Sequence, residues 1–234
     1  MALLNSGRNT ARIVGILFLI ATAAPLLSII FVPVIIGPES IENVWLLAAN
    51  ETNTRIGALL EFTMAVAVAS IPICIYPIMK KQNQSMALGY VIGRLVEGIM
   101  FTIGTICLIV LLTLSKEYAI TGTSDALTTQ LGLLVLSIRS AQSIFAQFSF
   151  SLGSLMFYYM LYKTKLIPRW LSSWSLIGAV MFLASAFVVI FGSDSSSTTY
   201  LLLNAPGGLG EMVFAIWLII KGFNTEAFNQ LSEE

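Results

Sequence analysis

Apolar positions in this chain fall into six long runs, separated by short stretches that collect most of the charge. The runs cover about 13–36, 55–79, 86–114, 140–162, 168–191 and 200–220. Each is long enough, at about 1.5 Å per helical residue, to cross a hydrocarbon layer of about 30 Å. Ala21-Thr22-Ala23 in the first run has the small-residue look of a signal-peptidase site, but apolar residues continue well past it, as in a retained helix. Pro72 and Pro77 are expected to kink the second run and Pro168 to open the fifth. Before the fourth run, Ser124 and Asp125 read as a helix N-cap, followed by Leu127, Leu131, Leu134 and Ile138 at roughly helical spacing. Residues 125–139 are thus either an outer amphipathic helix or an extension of the fourth span. The fold class expected is an all-α integral membrane protein, a six-transmembrane-helix bundle forming a single membrane domain over residues 1–234.

The charges orient the bundle. Arg8, Arg12, Lys80, Lys81, Lys163, Lys165, Arg169 and Lys221, eight of the twelve Lys and Arg residues, lie at span ends that six alternating crossings bring to one face. The opposite connections hold Glu39, Glu42, Glu51, Glu117, Asp125 and Asp194, with only Lys116 and Arg55 as cations. The positive-inside rule makes the first face cytoplasmic, an N-in/C-in topology in an inner (cytoplasmic) membrane. Trp170, Trp174, Tyr158, Tyr159 and Tyr162 gather near that face and read as an interfacial belt.

Composition agrees and excludes several classes. Hydrophobic residues make up 57% of the 234 and charged residues only 10%, against about 25% charged in soluble domains. Net charge is zero and no basic block interleaves with aromatics, so nucleic acid is not an expected partner. With no histidine and two cysteines, Cys74 and Cys107, neither a His/Cys zinc site nor a Ser-His-Asp triad is expected. No phosphate-binding glycine loop is present. No cofactor, metal or catalytic residue is assigned, and an enzyme is the less favoured class. The bilayer is the expected partner, and the sequence designates no protein partner.

Several segments together resemble a bacterial family of multi-pass membrane proteins, catalogued as domain of unknown function 4386. They are Thr10-Ala11-Arg12-Ile13-Val14-Gly15-Ile16, Arg55-Ile56-Gly57, Gly93-Arg94-Leu95-Val96-Glu97, the stretch from Leu161 to Ser172, and the closing stretch from Glu211 to Phe223. The resemblance implies membrane residence over nearly the whole chain and brings no activity with it.

Candidate chemistry therefore rests on ionisable residues inside or at the rim of the runs: Glu61, Arg94, Glu97, Arg139 and Glu211. A charge at a helix centre costs about 2.5–3.5 kcal/mol on the insertion scale, so such groups face the bundle interior and pair, or line a wet cavity. Arg94, Glu97 and Glu211 are expected near mid-membrane, Glu61 in the outer third and Arg139 near the outer surface. Arg94 and Glu97 share a helix face at i,i+3 and can pair. If Glu211 shares Arg94, the cluster sets two carboxylates against one guanidinium, and an acid that exchanges a proton at that depth suits a proton-coupled transporter. The same groups serve equally as a charge-paired strut. Gln147, with Ser151 and Ser154 at i+4 and i+7, either lines the same cavity or hydrogen-bonds neighbouring helices. Asn204-Ala205-Pro206-Gly207-Gly208 either breaks the sixth span beside Glu211 or only kinks it. Gly89 and Gly93 read as a helix contact surface, and the shared Gly-x-Leu-x-Glu pattern at 93–97 and 207–211 is a weak sign of an inverted repeat. The leading functional expectation is binding or transport of a small solute or proton at Arg94, Glu97 and Glu211, with Glu61, Arg139 and Gln147 as secondary members. The rival is a membrane-embedded accessory or regulatory protein whose charges are structural.

Overall fold

The structure is a computed structural model that describes residues 2–33, 35, 37–121, 126–192 and 197–233. Its elements are α1 (Ala2–Phe31), α2 (Ile41–Val44), α3 (Glu51–Met79), α4 (Gln84–Thr121), α5 (Ala126–Thr164), α6 (Arg169–Ile190), α7 (Thr198–Ile220) and α8 (Thr225–Glu233). Two 3-10 turns, Pro38–Ser40 and Ala48–Asn50, flank α2. No strand occurs among the described residues. Six helices, α1 and α3 to α7, are long and apolar enough to cross a membrane, so the chain has the fold of a six-span helical membrane protein.

The helix ends follow local chemistry. Asn83 Oδ1 accepts the Met86 N–H at 2.9 Å at the start of α4, and Ser197 Oγ accepts the Tyr200 N–H at 3.3 Å at the start of α7. Lys165 (φ 56°) and Gly222 (φ 74°) take left-handed conformations just past α5 and α7, the usual helix-ending geometry. Pro168 precedes α6 as its N-cap, one position earlier than a first-turn proline.

Two alternatives left open by the sequence are resolved, and one expectation is corrected. Residues 126–139 belong to α5, which runs unbroken to Thr164, so the outer segment is an extension of the fourth span and not a separate helix. Leu131 and Ile138 remain exposed, while Leu136 is fully buried against the neighbouring helices. The Ser124–Asp125 cap lies outside the described residues. Second, α7 continues through Pro206 without a break. Side-chain donors meet the carbonyls around the proline: Asn204 Nδ2 donates to the Tyr200 carbonyl at 2.7 Å and Trp174 Nε1 to the Pro206 carbonyl at 3.0 Å. Third, Tyr158 is no interfacial anchor. It is 2% exposed and packs inside the bundle, whereas Trp170 and Tyr159 are exposed as a belt requires.

Each spanning helix packs chiefly on its chain neighbours, and α7 returns to pack on α1, so the six form a closed ring. Small residues set the close crossings. A Cβ on Gly93 of α4 would stand 2.9 Å from the Ser149 carbonyl oxygen of α5, and one on Gly178 of α6 would stand 2.7 Å from Gly207 Cα of α7. Apolar side chains close both ends. One cluster includes Ala11, Ile75, Met79, Leu161, Leu166, Phe223 and Phe228, which places the start of α1, the α3–α4 turn, the α5–α6 loop and α8 at one end. That end carries Lys80, Lys81, Lys163, Lys165, Arg169 and Lys221 and is called the basic end below. The other cluster holds Val32, Val44, Leu47, Leu108 and Leu136. At the surface beside it, Glu51 joins Lys116 (2.5 Å) and Arg55 (2.8 Å).

Candidate functional site

Between the two ends the ring is hollow. A cavity of about 410 Å³ takes its wall from all six spanning helices: Phe18 and Thr22 of α1, Met64 of α3, Arg94 and Glu97 of α4, Gln147 and Phe150 of α5, Phe182 of α6, and Tyr200, Asn204 and Glu211 of α7. A second cavity of about 340 Å³, reaching Glu61, Arg139 and Gln142, lies toward the opposite end. The two share Pro25, Met64, Phe101, Ser143 and Tyr200 as wall. Toward the basic end the first cavity stops at an aromatic layer. Tyr90 stacks on Phe157 at 4.4 Å, and Phe214 meets Phe157 and Tyr158 edge-on at 5.9 Å and 5.7 Å.

Arg94 and Glu97 sit one helical turn apart on the cavity-facing side of α4, 3% and 4% exposed. Arg94 Nη1 stands 3.0 Å from Glu97 Oε2. The guanidinium carbon also lies 5.6 Å from the Phe18 ring centre and 5.2 Å from that of Phe150, so two aromatic faces replace water around the cation. Its Nε has no hydrogen-bond partner among the described residues. The i,i+3 pairing legible in the sequence is thus present, but the flanking phenylalanines are not inferable from it.

Glu211 reaches the same cavity from α7. The Tyr158 hydroxyl neighbours its carboxyl, yet neither the hydroxyl nor Glu211 Oε1 meets hydrogen-bond geometry with a described group. Glu211 makes no ion pair within 4.0 Å among the described residues, unlike Glu97, Glu61 and Glu51. Its charge is met by Arg94 at longer range and by the neighbouring Tyr158 hydroxyl. The cavity wall therefore contains one paired and one unpaired acid around a single guanidinium.

The secondary residues divide. Arg139 and Glu61 form a cross-helix lock, with Arg139 donating to Glu61 Oε1 at 2.6 Å and Oε2 at 3.1 Å, to the Ile35 carbonyl at 2.6 Å, and to the Gly104 carbonyl. That fully engaged guanidinium ties α3, α4, α5 and the chain after α1. Gln147 is a hub: its amide nitrogen has Ser185 Oγ (2.5 Å), Asn204 Oδ1 (2.9 Å) and the Phe182 carbonyl (3.1 Å) within hydrogen-bond distance, three acceptors that share its two N–H groups, and its oxygen accepts the Tyr200 hydroxyl at 3.1 Å. Ser151 bonds back to the Gln147 carbonyl at 2.7 Å, and neither it nor Ser154 borders the cavity. Tyr200 and Asn204 complete the wall; the sequence singled out Asn204 only as part of a helix break, and Tyr200 gave no signal beyond its place near a span end. Among the described residues no group of three or more acidic or cysteine side chains could hold a metal ion.

A family model described as "Domain of unknown function (DUF4386)" matches residues 13–222, a stretch that includes most of the first span, all of the other five and every wall residue named above. No curated protein and no solved structure matches the chain.

Proposed function

Since the chain belongs to the DUF4386 family, whose description carries no activity, we propose from the cavity itself that it binds or transports a small solute or proton at Arg94, Glu97 and Glu211. The observation that carries this reading is Glu211, an acid on the wall of a 410 Å³ cavity with no ion-pair partner within 4.0 Å among the described residues. Burying an uncompensated carboxylate is costly. A strut would be built as Glu61 and Arg139 are, with both oxygens bonded; Glu211 instead leaves an acid for a proton or a cationic group to neutralise. Arg94, held between two rings and Glu97, supplies a fixed positive charge that sets how many positive charges the pair of acids accepts.

The reading includes placement in an inner (cytoplasmic) membrane with both chain ends inside, supported by the collection of lysine and arginine at the end that holds the start of α1 and α8. The accessory-protein reading keeps one specific support, the Glu61–Arg139 lock, which is purely structural in form.

The test is Glu211→Gln in reconstituted vesicles loaded with a pH-sensitive dye and offered a panel of small cations and amphiphiles. Glutamine keeps shape and hydrogen bonding while deleting the titration. A folded variant that loses the wild-type flux or binding supports the proposal. Wild type without flux or binding across the panel, or a variant with unchanged activity, transfers the role to the accessory-protein reading.

A further inference from the structure

A basic recess lies away from the cavity. At the basic end, Lys165 from the α5–α6 connection, Arg169 from the start of α6 and Lys221 from the end of α7 border a pocket of about 480 Å³, floored by Leu166, Ile167, Phe223 and Trp217. None of the three cations has a carboxylate within 4.0 Å among the described residues. Arg169 is held with its guanidinium 5.3 Å from the Tyr162 ring. The connection is fixed from the other side, where the Asn224 N–H donates to the Leu166 carbonyl at 2.8 Å.

Lys165 gives an independent sign. It is the one non-glycine among the described residues with positive φ, at 56°. Helices commonly end with a residue in this conformation, but the position usually goes to glycine because a Cβ there costs about 1–2 kcal/mol. α7 follows that preference with Gly222 at φ 74°. A lysine at the equivalent place in α5 accepts the backbone cost, and the only property it adds over glycine is a long cationic side chain at the pocket rim.

We propose that this pocket binds the phosphate headgroup of an anionic phospholipid. Three unneutralised cations at the end of membrane-spanning helices suit a phosphodiester. A lipid is favoured over a free phosphate because the recess has an apolar floor and its border continues onto exposed apolar residues at the same helix ends, Trp170, Ile216 and Ile220, along which acyl chains can lie.

The experiment reconstitutes the whole chain in phosphatidylcholine vesicles containing dibrominated phosphatidylglycerol or, at equal mole fraction, dibrominated phosphatidylcholine, and reads quenching of tryptophan fluorescence. Trp217 and Trp170 stand at the pocket. Wild type is expected to be quenched more strongly by the anionic lipid. Lys165→Gly, Arg169→Gln and Lys221→Gln are each expected to lower the relative affinity about fivefold. Lys165→Gly is the decisive variant, since glycine suits the backbone and folding is kept, as a thermal melt verifies. The pair Lys80→Gln and Lys81→Gln, on the same end but outside the pocket, should leave the preference intact. Equal quenching by the two lipids, an unchanged preference in Lys165→Gly, or an equal loss in the Lys80 and Lys81 variant overturns the site. Displacement of the brominated lipid by inorganic phosphate overturns the choice of a lipid.

Discussion

Arg139 and Glu61 meet across the ring through two contacts of 2.6 Å and 3.1 Å, although 78 residues separate them in the chain. Both side chains are largely buried, at 12% and 15% exposure. The guanidinium also serves the Ile35 and Gly104 carbonyls. Arg139→Met therefore strands an acid and two carbonyls, and is expected to cost about 3 kcal/mol or more, whereas Glu61→Gln leaves the carbonyl contacts and should cost less. Thermal unfolding of the two variants in detergent gives the ranking. The reverse order would mean that the lock does not bear on stability as described.

Arg94 and Glu97 form a second pair, 3.0 Å apart and nearly dry. Removing the cation alone, as Arg94→Met, leaves two acids uncompensated and is expected to cost about 3–5 kcal/mol. Adding Glu97→Met should return much of that loss, and adding Glu211→Gln should return a further part if Glu211 depends on the same guanidinium. Strictly additive effects across this series would show the groups to be uncoupled.

Two helical glycines are expected to behave oppositely. A Cβ at Gly178 would stand 2.7 Å from Gly207 Cα, so Gly178→Ala must push α6 and α7 apart, at about 1–3 kcal/mol. Nothing lies within 4 Å of a Cβ at Gly208, and Gly208→Ala should be neutral or gain up to about 1 kcal/mol from helix propensity. Equal melting temperatures for the two variants would contradict the crossing geometry.

Orientation is open to direct labelling. With Cys74 and Cys107 replaced, Gln84→Cys at the α3–α4 turn should react with an impermeant maleimide only after the membrane is opened, and Glu117→Cys near the opposite end of α4 should react in intact cells. Labelling of position 84 from outside would reverse the proposed topology.

The spans were legible because a run of about 20 apolar residues has no comparable use in a soluble domain of this size. The Arg94–Glu97 pair was legible from helical geometry alone, and counting residues from the span ends brought Glu211 to the same depth. Helix neighbours were not legible: apolar faces against lipid and against protein use the same residues, so the sequence did not tell which helices share the cavity. Tyr158 shows the difficulty. A tyrosine near a span end suits an interface and a core equally, and only its ring contacts with Phe157 and Phe214 inside the bundle decide. Pro206 left a break and a kink equally open for a related reason, because the side-chain donors near it, Asn204 and Trp174, include one from another helix.

The closed ring makes assembly sequential. Five of its six contacts join helices consecutive along the chain, so each can form as soon as the later helix has entered the bilayer, with little loop entropy to overcome. The α1–α7 seam is different, since its two sides enter first and last. Until it forms, the cavity wall lacks Tyr200, Asn204 and Glu211 and stays open to lipid. Weakening that seam, for instance at Gly15, where a Cβ would stand 2.8 Å from the Ala215 carbonyl oxygen, should yield a protein with six inserted helices and a cavity parted along its α1–α7 side.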